Sequence, residues 1–69
     1  MISEVLYVGK NLRRLRRQKL LTQERLADLS GVGVATIIRA EKNQVEPSAE
    51  TIRKLAKALE VEPLDLFER

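Results

Sequence analysis

An all-α domain of five short helices is what this sequence predicts, and three observations predict it. Apolar side chains recur at spacings of three and four residues through most of the chain, which places them on one face of a helix. Residues that begin helices, Thr22, Ser48 and Pro63, are interleaved with residues suited to ending them, Gly31 and Asn43. The stretches between are short and polar, with no linker, internal repeat or low-complexity tract, so residues 1–69 read as a single domain. Eleven leucines and an apolar fraction of 43% suffice for one compact core and exclude disorder, although a chain of 69 residues buries a modest share of its surface.

The first helix is expected from Ser3 or Val5 to Lys19, with Val5, Val8, Leu12 and Leu15 inward and its cations outward. The second begins at Thr22, whose hydroxyl can accept an orphan backbone N–H, carries Glu24 in the first turn where the helix dipole favours an anion, and ends near Leu29. Gly31 then enters the left-handed conformation without a Cβ penalty. The third helix runs from Gly33 or Val34 to about Lys42, and Asn43 is the next-best residue to glycine for the left-handed position after it. Pro47-Ser48 stops the loop and caps the fourth, whose apolar stripe is Ile52, Leu55, Ala56 and Leu59. Pro63 opens a last short helix carrying Leu64, Leu66 and Phe67, in a position where its missing N–H costs nothing.

Composition removes several chemistries at once. Cysteine and histidine are both absent, which excludes disulfide scaffolds, zinc modules, thiol chemistry and histidine acid-base chemistry. Only a carboxylate pair remains for catalysis, yet Glu60, Glu62, Asp65 and Glu68 fall on a short terminal element with no pocket-forming sequence around them, so no enzyme and no cofactor is expected. No apolar run approaches the ~18 residues of a membrane span. Met1-Ile2-Ser3-Glu4 lacks the basic start of a signal peptide, and the expected location is the cytoplasm, or the nucleoid of a prokaryote.

The charge is unevenly placed. The net charge is +3, but residues 1–45 carry nine Lys/Arg against four Asp/Glu and residues 46–69 carry four against six, balances of +5 and −2. Six of the nine N-terminal cations, Lys10, Arg13, Arg14, Arg16, Arg17 and Lys19, lie on the first helix. Such a run is either a solvated helix surface or a patch for phosphates or anionic lipid. The membrane alternative is disfavoured because the apolar side of that helix holds leucines and valines needed for the core.

Gln23 to Arg39 reads as a tight helix-turn-helix. Two short helices crossing at a large angle need a small residue at the crossing, a turn residue tolerant of positive φ, and apolar plugs after the turn and inside the second helix. Ala27, Gly31, Val32 and Ile37 supply these in order, with Leu26 as the neighbouring core contact. Beside a basic first helix, the whole set points to DNA.

The segment Leu21-Thr22-Gln23-Glu24-Arg25-Leu26-Ala27-Asp28-Leu29-Ser30-Gly31-Val32, followed by Thr36-Ile37-Ile38-Arg39-Ala40-Glu41-Lys42-Asn43, resembles the Cro and phage-repressor helix-turn-helix family, also called the xenobiotic response element type. Leu12-Arg13-Arg14-Leu15-Arg16 is similar to the family's first helix, and Pro47-Ser48 with Thr51 to Leu59 to its fourth, so the likeness runs from about Val8 to Phe67. It implies a compact lambda-repressor-like fold, with the helix-turn-helix core at about 22–42 and the last two helices at about 48–67. The small size and the ending Val61-Glu62-Pro63-Leu64-Asp65-Leu66-Phe67 are similar to the controller proteins of restriction-modification systems.

The resemblance implies roles by position. Val34, Ala35, Thr36, Ile38 and Arg39 match the face presented to base edges in the major groove. Lys10, Arg13, Arg14, Thr22, Gln23, Gly33, Lys42 and Asn43 match contacts to the DNA backbone, and exposed N–H groups with an amide side chain at a helix N-terminus suit a phosphate. Arg16 and Glu41 match a pair that ties helix 1 to the end of helix 3. The family commonly has polar residues where this chain has Gly33, Val34, Ala35 and Ile38. A Val34–Ile38 ridge on that face could meet thymine methyl groups, or could instead serve a protein-binding module or antitoxin-type partner-binding protein. Leu59, Val61, Leu64, Leu66 and Phe67 are many large apolar groups for so short a segment, and are expected to supply a homodimer interface. The whole predicts a transcriptional regulator, repressor or controller, binding double-stranded DNA as a homodimer on a near-palindromic operator, with a second protein partner left open.

Overall fold

The structure, a computed structural model, describes residues 7–67. Four α-helices, α1 (Gly9–Gln18), α2 (Gln23–Ser30), α3 (Val34–Glu41) and α4 (Ala49–Leu59), are followed by a single 3-10 turn at Pro63–Leu66. The described residues contain no strand. None of these helices is long and apolar enough to cross a membrane.

The caps form where the side-chain chemistry calls for them. Thr22 Oγ1 accepts the Arg25 N–H at 3.0 Å, and Ser48 Oγ accepts the Thr51 N–H at 3.2 Å. Gly31 closes α2 in the left-handed region at φ 75°. The turn after it is braced by Ser30 Oγ, which accepts the Val32 N–H at 3.1 Å. Asn43 is left-handed at φ 57°, and so, unforeseen from sequence, are Leu20 at 58° and Glu60 at 59°.

Two elements differ from expectation. The fifth helix is only a 3-10 turn of four residues, after which Phe67 is extended at φ −82°, ψ 140°. Its carbonyl is taken by Asn11 Nδ2 at 2.8 Å, so the last described residue is tied to α1 rather than to a continuing helix. The first helix starts at Gly9 and not upstream: Tyr7 and Val8 are non-helical, Val8 being the N-cap, while the expected Ser3 or Val5 start lies outside the described residues.

The core is one cluster built from all elements. Leu12, Leu26, Ile37, Leu55, Leu59 and Leu66 have no exposed surface, and Val8, Ala40, Ala56, Ile52 and Val32 close around them. Ala27, at the crossing of α2 and α3, packs against its edge. This corrects the interface expected of the C-terminal segment. Leu59 and Leu66 are spent within the protomer, because the 3-10 turn folds onto α4 and α1, and α4 packs on α2. The surface left to a partner is Leu64, 65% exposed, with half-buried Val61 and Phe67.

Candidate nucleic-acid interface

Helix α3 has eight residues, about 12 Å of axis, which is the width of a DNA major groove. Its apolar anchor is Ile37 with Ala40, one turn apart and fully buried. Opposite them, Ala35, Arg39 and Lys42 are exposed, with Val34 at 36% exposure on one flank and half-buried Thr36 and Ile38 beside them. Arg39 is the one residue of α3 able to reach outward as a long donor, and its side chain has no hydrogen bond or ion pair among the described residues. Gly33 is the N-cap of α3 and is exposed, in an extended conformation that any residue could adopt.

A surface groove of about 420 Å³ runs beside this helix. Arg13 and Arg17 of α1, Thr22 and Gln23 at the start of α2, and Ile38 and Lys42 at the end of α3 line it. Glu24 also borders it. Arg17, not among the expected contacts, joins Arg13 in the groove through their one-turn spacing on α1, a spacing visible in the sequence. Arg14 points elsewhere: its NH2 leans on Asn11 Oδ1 at 3.5 Å, the residue whose amide holds Phe67. Lys10 is exposed at the first turn of α1 and is not part of the groove lining.

The floor of the groove is an ion pair. Arg16 donates from Nε to Glu41 Oε2 at 2.6 Å and from NH2 to Glu41 Oε1 at 3.0 Å, and its NH1 meets the Leu21 carbonyl at 2.7 Å. The two side chains are 11% and 4% exposed. The hydrogen bond to the Glu41 carboxylate raises the Arg16 guanidinium above its ordinary value against the opposing effect of burial. Gln23 Nε2 joins it, donating to Glu41 Oε1 at 3.2 Å.

These contacts sort the cations of α1. Arg16 is spent on Glu41, and Lys19 pairs with Glu60 at 2.9 Å at the far end of α4. Among the described residues Lys10, Arg13, Arg14 and Arg17 form no ion pair, nor do Arg39 and Lys42 of the α3 segment. Of these, Arg13, Arg17 and Lys42 line the groove, while Glu46, Glu50, Glu62 and Asp65 lie on the loop, α4 and the terminal turn, where α4 also carries exposed Arg53 and Lys57. Thr22 is engaged as a cap, and Asn43 Oδ1 accepts the Gly9 N–H at 3.0 Å, so both have structural partners in the free protein.

Known proteins are similar to this chain in sequence and fold. A family model described as Helix-turn-helix matches residues 12–66. The chain is 40% identical over 57 residues to the HTH-type transcriptional regulator PuuR of Escherichia coli (strain K12), covering 83% of this chain and 31% of that protein. It is 44% identical over 54 residues to the HTH-type transcriptional repressor RghR of Bacillus subtilis (strain 168), covering 77% of this chain and 40% of that protein. It thus spans about a third of the length of these curated relatives. Among solved structures, the restriction-modification controller protein C.AhdI from Aeromonas hydrophila superposes with a TM-score of 0.83 at 45% identity, covering 87% of this chain and 91% of that one. The P22 c2 repressor in complex with a synthetic operator gives 0.82 at 29% identity, covering 90% and 94%.

Proposed function

The chain belongs to the helix-turn-helix family of transcriptional regulators, and on that premise we propose that it binds double-stranded DNA sequence-specifically as a homodimer on a near-palindromic operator. The observation that carries this reading is the exposed face of α3, with Arg39 unpartnered among the described residues, set beside a groove whose cations α1 supplies. Arg13, Arg17 and Lys42 bind phosphates, and their charge orients the protein on the duplex before any base is read. Arg39 reads bases, since a guanidinium can pair bidentately with guanine O6 and N7. Val34 and Ile38 lie one turn apart and offer methyl contacts, which favour thymine. Arg16 and Glu41 hold α1 against α3 and do not touch DNA.

Two copies place their α3 helices in successive major grooves about 34–36 Å apart, which makes the operator an inverted repeat. Leu64 with Val61 and Phe67 is the surface through which the copies meet, on the acidic part of the chain and away from DNA. Regulation is by occupancy of the operator, a reading supported by the P22 c2 repressor, a structural relative solved in complex with a synthetic operator.

The test compares Arg39→Ala, Arg13→Ala and Val34→Ser on a selected operator and on random DNA across a salt series. Arg39→Ala relaxes sequence preference by about 1–3 kcal/mol at a guanine position. Arg13→Ala weakens all sequences alike and lowers the salt slope by about one. Val34→Ser changes preference at an A·T pair and leaves the salt slope alone, because a methyl contact releases no counterion. Equal losses for all three on both DNAs would mean that α3 does not read bases, and the apolar ridge would then be a protein-binding surface.

A further inference from the structure

The N-terminus of α1 and the C-terminus of α3 approach each other more closely than a side chain at Gly9 would permit. Gly9 is buried, and a Cβ there would lie 2.6 Å from Asn43 Oδ1, 2.6 Å from the Glu41 carbonyl oxygen and 2.8 Å from the Ala40 carbonyl oxygen. Two of those three atoms are helix backbone, which cannot move aside locally. Glycine is otherwise a poor residue for a helix. The close approach creates one hydrogen bond, from the Gly9 N–H to Asn43 Oδ1 at 3.0 Å. Asn43 for its part is exposed and left-handed, in a conformation suited to glycine or asparagine, and of those two only asparagine carries an amide.

We infer that Gly9 is a positioning residue for Asn43: by holding Oδ1 inward it turns Nδ2 outward, next to Lys42, as a preset N–H donor to a nucleic-acid phosphate. The inference rests on the DNA-binding reading above. A free asparagine amide can present either end, and its carbonyl oxygen would repel a phosphate. A backbone N–H can only donate, so the tie to Gly9 is satisfied in one orientation alone. That N–H is among the orphan donors of the first turn of α1 and needs an acceptor in any case. Gln23, in the groove, is oriented by a different contact: with Nε2 donating to Glu41 Oε1, one amide hydrogen is left over. Side chains ordered in advance lose less rotamer freedom on binding.

The test uses the full chain. Asn43→Asp keeps an oxygen for Gly9 and tolerance of positive φ, but places an anionic oxygen where Nδ2 was. Gln44→Glu adds the same charge one residue along, at another exposed position, and serves as the control. Melting temperature and Kd are measured for each on a selected operator and on random duplex. Asn43→Asp should melt at or above the wild type, yet lose about tenfold more affinity than Gln44→Glu on both DNAs, the effect of replacing a hydrogen bond to a charged acceptor by repulsion. In the wild type, titration with random duplex should shift the Asn43 side-chain amide resonances. Gly9→Ala, where it still folds, should lose affinity on both DNAs equally with its sequence preference intact. Equal losses for Asn43→Asp and Gln44→Glu, with an unshifted Asn43 amide, overturn the positioning role and leave DNA binding standing. Failure of the wild type to bind any duplex overturns both.

Discussion

Replacing Arg16 by alanine tests whether this cation holds the fold or holds DNA. The guanidinium makes three hydrogen bonds, two to Glu41 and one to the Leu21 carbonyl, and the Glu41 side chain keeps only 4% of its surface exposed. Removing Arg16 strands a carboxylate in a poorly hydrated site with Gln23 Nε2 as its one remaining side-chain donor among the described residues. Breaking a buried pair by deleting one partner costs about 3–5 kcal/mol, whereas an exposed pair is worth about 1 kcal/mol or less. The burial here puts Arg16→Ala at about 3 kcal/mol, the lower limit for a buried pair. A domain of 69 residues has a total stability of roughly 3.5–10 kcal/mol, so this loss takes a large part of it. At about 4–8 °C per kcal/mol, the melting temperature should fall by some 12–24 °C. A double-mutant cycle with Glu41→Ala isolates the pair, and a coupling of about 2–3 kcal/mol is expected. The assay is thermal and urea unfolding of the four proteins, with operator affinity measured well below each midpoint. If Arg16→Ala costs less than about 1 kcal/mol while affinity falls on all DNA sequences, Arg16 is a phosphate ligand and the structural assignment is wrong.

Three further predictions follow from burial, backbone angle and charge. Leu66→Glu should unfold the protein, by more than about 4 kcal/mol, because it buries an unpaired carboxylate at a site with no exposed surface, whereas Leu64→Glu should leave the melting temperature unchanged and shift sedimentation toward monomer at micromolar concentration. Leu20 is 92% exposed at φ 58°, so Leu20→Gly should stabilise by about 0.5–1 kcal/mol in urea titrations with DNA affinity unaltered, the relief of the left-handed penalty exceeding the added chain entropy. The hydrogen bond from the Lys19 ammonium holds the Glu60 carboxyl below the usual carboxylate range. A carboxylate with a depressed folded-state pKa contributes stability above its unfolded pKa, and that contribution disappears as pH falls through the folded value. Glu60→Gln should therefore be less stable than the wild type at neutral pH and converge with it below about pH 4, as measured by unfolding across a pH series.

The sequence alone determined the local features of this domain. Thr22, Gly31, Ser48 and the left-handed backbone of Asn43 act through their own residue and nearest neighbours, so the starts of α2 and α4 and the ends of α2 and α3 were legible without tertiary contacts, whereas the end of α4 at Glu60 was not. The apolar periodicity likewise placed Leu12, Leu26, Ile37 and Leu55 inside, since each helix buries the stripe it carries. Tertiary structure decided what depends on how the helices meet. The start of α1 is set by contact between Gly9 and the end of α3, 34 residues away, to which no local pattern refers. Leu59 and Leu66 are indistinguishable in composition from Leu64, yet two are core and one is surface, because the 3-10 turn folds back toward α4 and α1. The partition of the α1 cations was out of reach of periodicity: the family resemblance paired Arg16 with Glu41, and the structure places that pair in the floor of the groove and leaves the adjacent Arg17 exposed.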